Sequence, residues 1–264
     1  MINYHDLCQK VCDLSRKTGK YILEQSEISI QADIEQKGLH NYVTYVDKTA
    51  EQQIVDELRL ILPESGFITE EGTASNKGAV FNWVIDPLDG TTNFIHRVPV
   101  FCVSIALMEN EKVVLGVVYE VNREECFYAW KGGMAMLNGN QIQVSGLMDF
   151  NASLLATGFP YYDYGRLDDY LKVFGHFMKT TAGLRRLGSA AADLAWVACG
   201  RFEGFYEYGL NSWDVAAGAY IVQMAGGVVS DFKGKQDYLF GKEMIAGTPH
   251  AHPEMLKVIS DLFK

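Results

Sequence analysis

The sequence predicts a layered α/β or α+β fold, and three observations carry that expectation. Apolar residues recur at helical steps near the N-terminus, strand-like runs cluster between residues 67 and 130, and helix and strand patterns then interleave to the end. At 264 residues the chain is long enough for one large domain or two compact lobes sharing a core.

Residues 3–25 read as an amphipathic helix, with Leu7, Val11, Leu14, Thr18, Tyr21 and Ile22 on one face. The polar stretch 31–41, containing Lys37-Gly38, reads as an irregular or mobile loop. A second helix is expected over 47–62, where Ala50, Ile54, Leu58 and Ile61 share a face; Asp47 is placed as its N-cap and Pro63 marks its stop. The period then changes. Phe67-Ile68-Thr69 is a short apolar run ending in Glu70-Glu71-Gly72, and 81–85 reads as a strand ending at Asp86. Residues 100–108 and 112–119 form an expected antiparallel hairpin, 125–130 a third strand, and Asn138-Gly139 is a hairpin turn signal.

In the second half, 166–179 reads as a helix and 189–199 as a buried Ala-rich helix, opened by Ser189 and stopped by Gly200. Residues 205–208, 227–230 and 244–246 read as strands, 214–225 as an apolar helix opened by Asp214, and 252–263 as the last helix. There is no internal repeat, low-complexity tract or long linker. A soft boundary near 145–152 divides the chain into an N-terminal α+β lobe, 1–148, and a C-terminal α/β lobe, 149–264.

The net charge of −10 argues against a general nucleic-acid or anionic-membrane binder, because such surfaces need clustered Lys and Arg. An anionic small substrate stays admissible if bound cations invert the local field. The five cysteines are odd in number and form no C-x-x-C pair, so a disulfide framework or zinc site is not expected and a reducing cytoplasm is. Cys8 and Cys12, spaced i,i+4, and Cys102 and Cys126, in strand patterns, read as buried inert residues. The opening residues lack a basic region followed by an apolar run, and no stretch reaches the ~18 apolar residues of a membrane span. The expectation is a soluble protein retained in the cytoplasm.

The most informative segment is Trp83-Val84-Ile85-Asp86-Pro87-Leu88-Asp89-Gly90-Thr91-Thr92-Asn93. An apolar strand delivers two carboxylates, three residues apart, into a tight turn. Pro87 stiffens that turn and Gly90 permits close backbone approach to a ligand. Two carboxylates forced together repel, so that either one is protonated or a cation neutralises the pair. Mg²⁺ prefers oxygen ligands and commonly sits between carboxylates and substrate phosphate. The N–H groups after Gly90 and the Thr91 hydroxyl are placed to hold phosphate oxygens. A bare D-P-x-D-G is more often a solvated turn; the longer run behind an apolar strand is far more specific. Glu70-Glu71 alone would usually be a solvated loop. Asp214, at the start of an apolar helix, is equally an N-cap and a metal-reaching carboxylate.

These motifs resemble those of the inositol monophosphatase family of lithium-sensitive, magnesium-dependent phosphatases. Residues 86–93 resemble its D-P-[IL]-D-G-T-x-N signature, and 213–218 its W-D-x-A-A/G-G signature. Glu70 falls in an F-I-x-E-E motif, and 43–47 are similar to V-T-x-x-D. The resemblance covers essentially the whole domain and implies alternating α-β-α-β-α layers of the sugar-phosphatase type. It implies that Glu70, Asp86, the Leu88 carbonyl, Asp89 and Asp214 hold two or three Mg²⁺ ions. Glu70 and Thr91 would position the attacking water, with Asp47 linked to Thr91. Gly90 and Thr91 would contact phosphate. Lys37 resembles the lysine of a mobile catalytic loop, with one residue fewer before Asp47 than some relatives have.

For the substrate, the resemblance implies that the backbone at Ser189-Ala190 meets sugar hydroxyls, that Glu207 reads hydroxyls together with Asp89 and Asp214, and that Arg185 is a structural or dimer-contact residue. Asn211 stands where some inositol-preferring members have a histidine, which departs from strict inositol geometry. The implied activity is hydrolysis of a small polyol monophosphate, inositol 1-phosphate first, by metal-activated water in a homodimer. Fructose 1,6-bisphosphate and 3′-phosphoadenosine 5′-phosphate are the alternative substrates. A reading of another class is a non-enzymatic regulatory binding protein, since some relatives are implicated in RNA-polymerase and ribosome-related roles.

Overall fold

The computed structural model describes residues 2–26, 34–38, 41–160 and 164–263; the side chains of 34–38 and 41–44 lie outside that set. Helix α1 (Tyr4–Ser26) and helix α2 (Tyr45–Ile61) flank a hairpin of β1 (Ile34–Gly38) and β2 (Asn41–Thr44). At residues 34–38 and 41 paired strands replace the irregular loop expected over 31–41, the rest of which lies outside the described residues. The hairpin register shifts between Gln36 and Gly38, so the Lys37-Gly38 signal marks a bulge within a strand. Helix α2 starts at Tyr45, which places Asp47 third in the helix rather than at the N-cap. A carboxylate is favoured by the exposed N–H groups throughout a first turn, so residue type alone does not fix the helix register.

The first sheet has seven strands in chain order: β3 (Gly66–Thr69), β4 (Phe81–Asp89), β5 (Cys102–Glu109), β6 (Lys112–Glu120), β7 (Glu125–Trp130), β8 (Met136–Leu137) and β9 (Asn140–Gln141). β3 runs parallel to β4, and every later pair is antiparallel. The β5–β6 turn holds Asn110 and Glu111 at φ 47° and 65°, and the β8–β9 turn holds Asn138 and Gly139 at φ 47° and 86°. Two consecutive positive φ values match the right-handed twist of the strands they join. Strand β4 runs beyond its expected end at residue 85. Its register with β5 shifts between Asp86 and Asp89, so Pro87, which has no N–H to offer, sits in a bulge and the strand continues past it.

A short helix α3 (Thr91–Ile95) leads away from β4. The second sheet takes the order β11-β10-β12-β14-β13. Its strands are β10 (Leu154–Thr157), β11 (Gly183–Arg185), β12 (Gly204–Tyr208), β13 (Val228–Ser230) and β14 (Glu243–Gly247). The first three are parallel, and β14 runs antiparallel to both neighbours. Strands β10 and β11 were not expected from sequence; they are three or four residues long, too short to show alternation. Helices α4 (Leu167–Thr180), α5 (Ala190–Ala198), α6 (Ser212–Met224) and α7 (Ala251–Leu262) complete the chain. Helix α6 starts behind Asn211, so Asp214 is its third residue and not its opener.

The layers follow from which faces are apolar. Helices α1 and α2 cover one face of the first sheet, α5 and α6 lie between the two sheets, and α4 and α7 cover the outer face of the second. Each interface has its own core: Ile22, Ile54 and Trp83 outside the first sheet, Leu194, Val215 and Phe127 between the sheets, and Phe177, Tyr206 and Met255 outside the second. This is a mixed α/β fold of the sugar-phosphatase type, α-β-α-β-α. The division proposed at residue 148 falls in the connection between the sheets, and the helices that fill the middle layer come from the second half. All nine residues of α5 are buried, as an Ala-rich helix between two sheets requires. The five cysteines are free thiols, four of them buried. Among the described residues no helix is long and apolar enough to cross a membrane.

The middle layer is thin because small residues let backbones touch. At Gly116 on β6, an added Cβ would stand 2.7 Å from the Ala217 carbonyl oxygen and 3.0 Å from its Cα, both on α6. No flexible side chain can give way there. Gly116→Val is expected to destabilise the fold by about 2–4 kcal/mol, read as a shift in the urea unfolding midpoint, because overpacking here pushes α6 off the sheet.

Candidate active site

Four chain segments meet where the two sheets approach. The loop after β3 presents Glu70, β4 presents Asp86 and Asp89 on either side of its bulge, and the first turns of α5 and α6 present Ser189 and Asp214. They enclose a cleft of about 170 Å³ whose lining includes Glu70, Asp89, Thr91, Glu207 and Asp214. Gly90 sits at φ 100°, the left-handed region, and this turns the chain from β4 into α3.

Each acidic group is held by partners remote in sequence. Asp89 Oδ2 accepts from Ser189 Oγ at 2.6 Å and from the Ala191 N–H at 2.7 Å, joining the two halves of the chain. Asp214 Oδ2 accepts from the Asn211 N–H at 2.6 Å, and Ser104 Oγ donates to the Trp213 carbonyl at 3.2 Å, fixing the start of α6 on β5. Asp86 Oδ1 accepts from the Leu88 N–H at 2.9 Å inside the bulge. The Thr91 hydroxyl lies 3.1 Å from both Asp47 Oδ1 and the Leu88 carbonyl; its single proton serves one at a time. Asn93 Nδ2 donates at 2.8 Å to the Val100 and Leu187 carbonyls, a second tie between the halves.

The Glu70 loop is fixed from behind by Glu51, a fully buried residue of α2. Its carboxylate accepts from the Glu71 N–H at 2.8 Å, the Thr73 N–H at 2.9 Å and the Thr73 hydroxyl at 2.8 Å. Sequence reasoning passed over Glu51, although a carboxylate beside Ala50 on the apolar side of α2 was its signal.

The electrostatics are those of crowded anions. Asp86 is buried, and burial, followed by the charges of Glu70, Asp89 and Asp214, raises its pKa well above the carboxylate range. Asp214 is raised likewise by burial and then by Asp89, against the bond from Asn211. Burial pushes Asp89 up to about 6, against its bonds from Ser189 and Ala191 and the nearby Arg186. Burial pushes Glu207 up to about 8, with Arg186 opposing and Asp89 adding. A hard divalent cation would relieve the first three at once. The metal-type donors around the cleft are oxygens, and among the described residues no His or Cys lines it, which fits Mg²⁺. Among the described residues no three acidic, His or Cys side chains already stand in a closed metal cage. Asp86 shares a hydrogen bond with Glu70, and both bonds to Asp89 fall on Oδ2.

Of the residues singled out from sequence, Glu70, Asp89, Gly90, Thr91, Ser189, Ala190, Glu207, Asn211 and Asp214 line the cleft. Asp86, the Leu88 carbonyl and Asp47 stand behind that lining, bonded as described. Arg185 is exposed on β11, the edge strand of the second sheet. The side chain of Lys37 lies outside the described residues. Sequence reasoning did not single out several lining residues, among them Arg186, Asp193 and Gly158. At Gly158 an added Cβ would collide with the Glu207 carboxylate, so the bare backbone makes room for that side chain. Asp193 had a signal, a lone acid inside an otherwise apolar helix.

Residues 4–262 match the model of the Inositol monophosphatase family. The chain is 44% identical over 250 residues to "Nus factor SuhB" of Pseudomonas aeruginosa, covering 93% of this chain and 92% of the relative. It is 42% identical over 258 residues to "Nus factor SuhB" of Escherichia coli K12, covering 97% of both. Among solved structures, the extragenic suppressor protein suhB of Bartonella henselae aligns with TM-score 0.91 and 35% identity, over 96% of this chain and 98% of that one. An IMPase of Thermotoga maritima aligns with TM-score 0.89 and 36% identity, over 97% and 98%.

Removing Glu51 strands three donors in a buried site. Glu51→Ala is expected to cost about 2–4 kcal/mol in urea unfolding and to release the 70–74 loop, seen as faster amide exchange at residues 71 and 73.

Proposed function

The chain belongs to the inositol monophosphatase family, and from that premise we propose that it is a magnesium-dependent phosphatase of small polyol phosphate monoesters, with inositol 1-phosphate as its leading substrate. The observation that supports this most directly is the gathering of Glu70, Asp86, Asp89 and Asp214 from three distant stretches of chain at one oxygen-lined cleft. Two or three Mg²⁺ ions, held by these carboxylates and the Leu88 carbonyl, would supply the Lewis acidity and positive charge that phosphate-ester cleavage demands.

The chain's own groups do the positioning. When Thr91 donates to Asp47, the Thr91 oxygen keeps its lone pairs toward the cleft and accepts from the attacking water, while Glu70 accepts the second proton of that water. The Gly90 and Thr91 N–H groups face the phosphate oxygens. Ser189 Oγ is committed to Asp89, so its share in substrate contact is through the backbone beside Ala190. Glu207, with Asp89 and Asp214, faces the hydroxyls. The water attacks in line with the leaving oxygen. No covalent enzyme intermediate is required, in keeping with the burial of Cys102 and Cys126. Exposed Arg185 on an edge strand is available to a second copy in a homodimer, and the free thiols suit a cytoplasmic setting.

A second reading is favoured by one observation: the relatives named above are called Nus factors. A regulatory, transcription-related role of this chain is compatible with hydrolysis, because an interaction surface need not overlap the cleft.

Two outcomes are expected. In a phosphate-release assay across inositol, sugar and nucleotide phosphates, inositol 1-phosphate leads, and Asp89→Asn lowers its kcat/KM about a thousandfold without altering the far-UV spectrum. Normal turnover in that variant would take Asp89 out of the centre. EDTA abolishes turnover, Mg²⁺ restores it and LiCl inhibits at fixed Mg²⁺; activity that survives thorough chelation would contradict the metal assignment.

A further inference from the structure

We propose that Asp193 is a substrate-reading residue, accepting a hydroxyl of the substrate's carbon skeleton at the end of the cleft occupied by Glu207. The assignment rests on the phosphatase reading above and adds to it the side chain that selects a hydroxylated leaving group.

Asp193 is the fourth residue of α5, after the N-cap Ser189. Every other residue of that helix is Ala, Leu, Trp or Val, and all are buried. Asp193 itself is 1% exposed, yet it borders the cleft. Its Oδ1 has no hydrogen-bond partner among the described residues. The acids that surround it differ in this respect: Asp89 is bonded to Ser189 and Ala191, Asp214 to Asn211, and Asp86 to Leu88. A buried carboxyl oxygen without a partner lowers stability, and one that borders a cavity is satisfied by what enters it.

The neighbours define what that entrant carries. The charged groups that act on Asp193 are Glu207 first, then Asp89 and Arg186. Arg186 lies over the Phe159 ring, 4.9 Å from its centroid, and forms the cationic edge of this end. Opposite Glu207 stands the bare backbone of Gly158, where a side chain would block the carboxylate. Two carboxyl groups facing one small space are acceptors in search of O–H donors. A phosphoryl group brings mainly acceptors to this end, whereas adjacent hydroxyls of a polyol offer matching donors. The cleft is thereby divided, with phosphate against Gly90 and Thr91 and the hydroxylated skeleton against Asp193 and Glu207.

The test compares Asp193→Asn and Asp193→Ala with the unmodified protein on two esters: myo-inositol 1-phosphate, and p-nitrophenyl phosphate, whose leaving group has no hydroxyl to read. The expected result for Asp193→Ala is a loss of about tenfold or more in kcat/KM for the inositol ester. Asp193→Asn, which keeps one acceptor, loses less. Hydrolysis of p-nitrophenyl phosphate stays within about twofold in both. The thermal midpoint of Asp193→Ala is equal to or above that of the unmodified protein, since an unpartnered buried carboxyl has been removed. Equal loss on the two esters, no loss on either, or a lowered midpoint would each overturn the assignment, because Asp193 would then serve the whole site, nothing, or the fold. Failure of the underlying reading shows separately, in the unmodified protein: turnover of neither ester removes the phosphatase, and turnover of p-nitrophenyl phosphate alone removes the polyol, and with either this role of Asp193.

Discussion

Like charge held at close quarters away from water is the constraint on which the rest of this molecule turns. Two carboxylates about 4 Å apart at a protein's edge repel by roughly 4 kcal/mol, and here several crowd one cleft. Such a cluster stays in place only if each member is fixed by donors that do not move. The chain supplies them from its far end: Ser189 and Ala191 fix Asp89, and Asn93 fastens α3 to Leu187. The bonds that shape the site are therefore also the bonds that dock one sheet against the other. The fold and the site form together, and the strain of one is carried by the other.

The middle layer gives this arrangement its geometry. Helices α5 and α6 both begin at the cleft and run away from it between the sheets. A helix start favours negative charge, through its unpaired N–H groups and its dipole, so two of them oppose part of the carboxylate repulsion. Small residues make the layer thin enough for this. Gly116 lets β6 touch Ala217 on α6, and the alanines of α5 keep the sheets near each other. The distance between Asp89 on one sheet and Ser189 on the middle layer is thus set by side-chain volumes well away from the chemistry.

What could be read from the sequence divides along physical lines. Helices such as α1 and α5 were legible because one or all of their faces are apolar over many turns. The hairpin β5–β6 was legible because two long strands flank a short turn. That Asp86 and Asp89 come together at the cleft was legible because they sit with Gly90 in a dense motif. Strands β10 and β11 were not, since three or four buried residues carry no period. Asp47 and Asp214 were both assigned to caps although each is third in its helix; a carboxylate is favoured at either place. Glu51 and Asp193 are of another kind. Each is one acid in an apolar pattern, and only the tertiary arrangement separates the one that braces a loop from the one that borders a cavity.

That separation carries the last step. An acidic chain of net charge −10 that is to hydrolyse a phosphate ester, as proposed, must treat its carboxylates in two ways. At one end of the cleft Asp89 and Asp214 are each bonded to the protein through Oδ2, and on the proposed function they would close around cations and, through them, hold phosphate. At the other end stand Glu207 and Asp193, with the Arg186 guanidinium acting on both. Both ends are made of the same residue types. What distinguishes them is how the oxygens are already satisfied: Asp89 and Asp214 are each bonded to the protein through Oδ2, and Asp193 Oδ1 has no partner among the described residues. In such a cleft specificity is recorded in the hydrogen bonds left unmade, and the cost of leaving them unmade is borne by the packing of the middle layer.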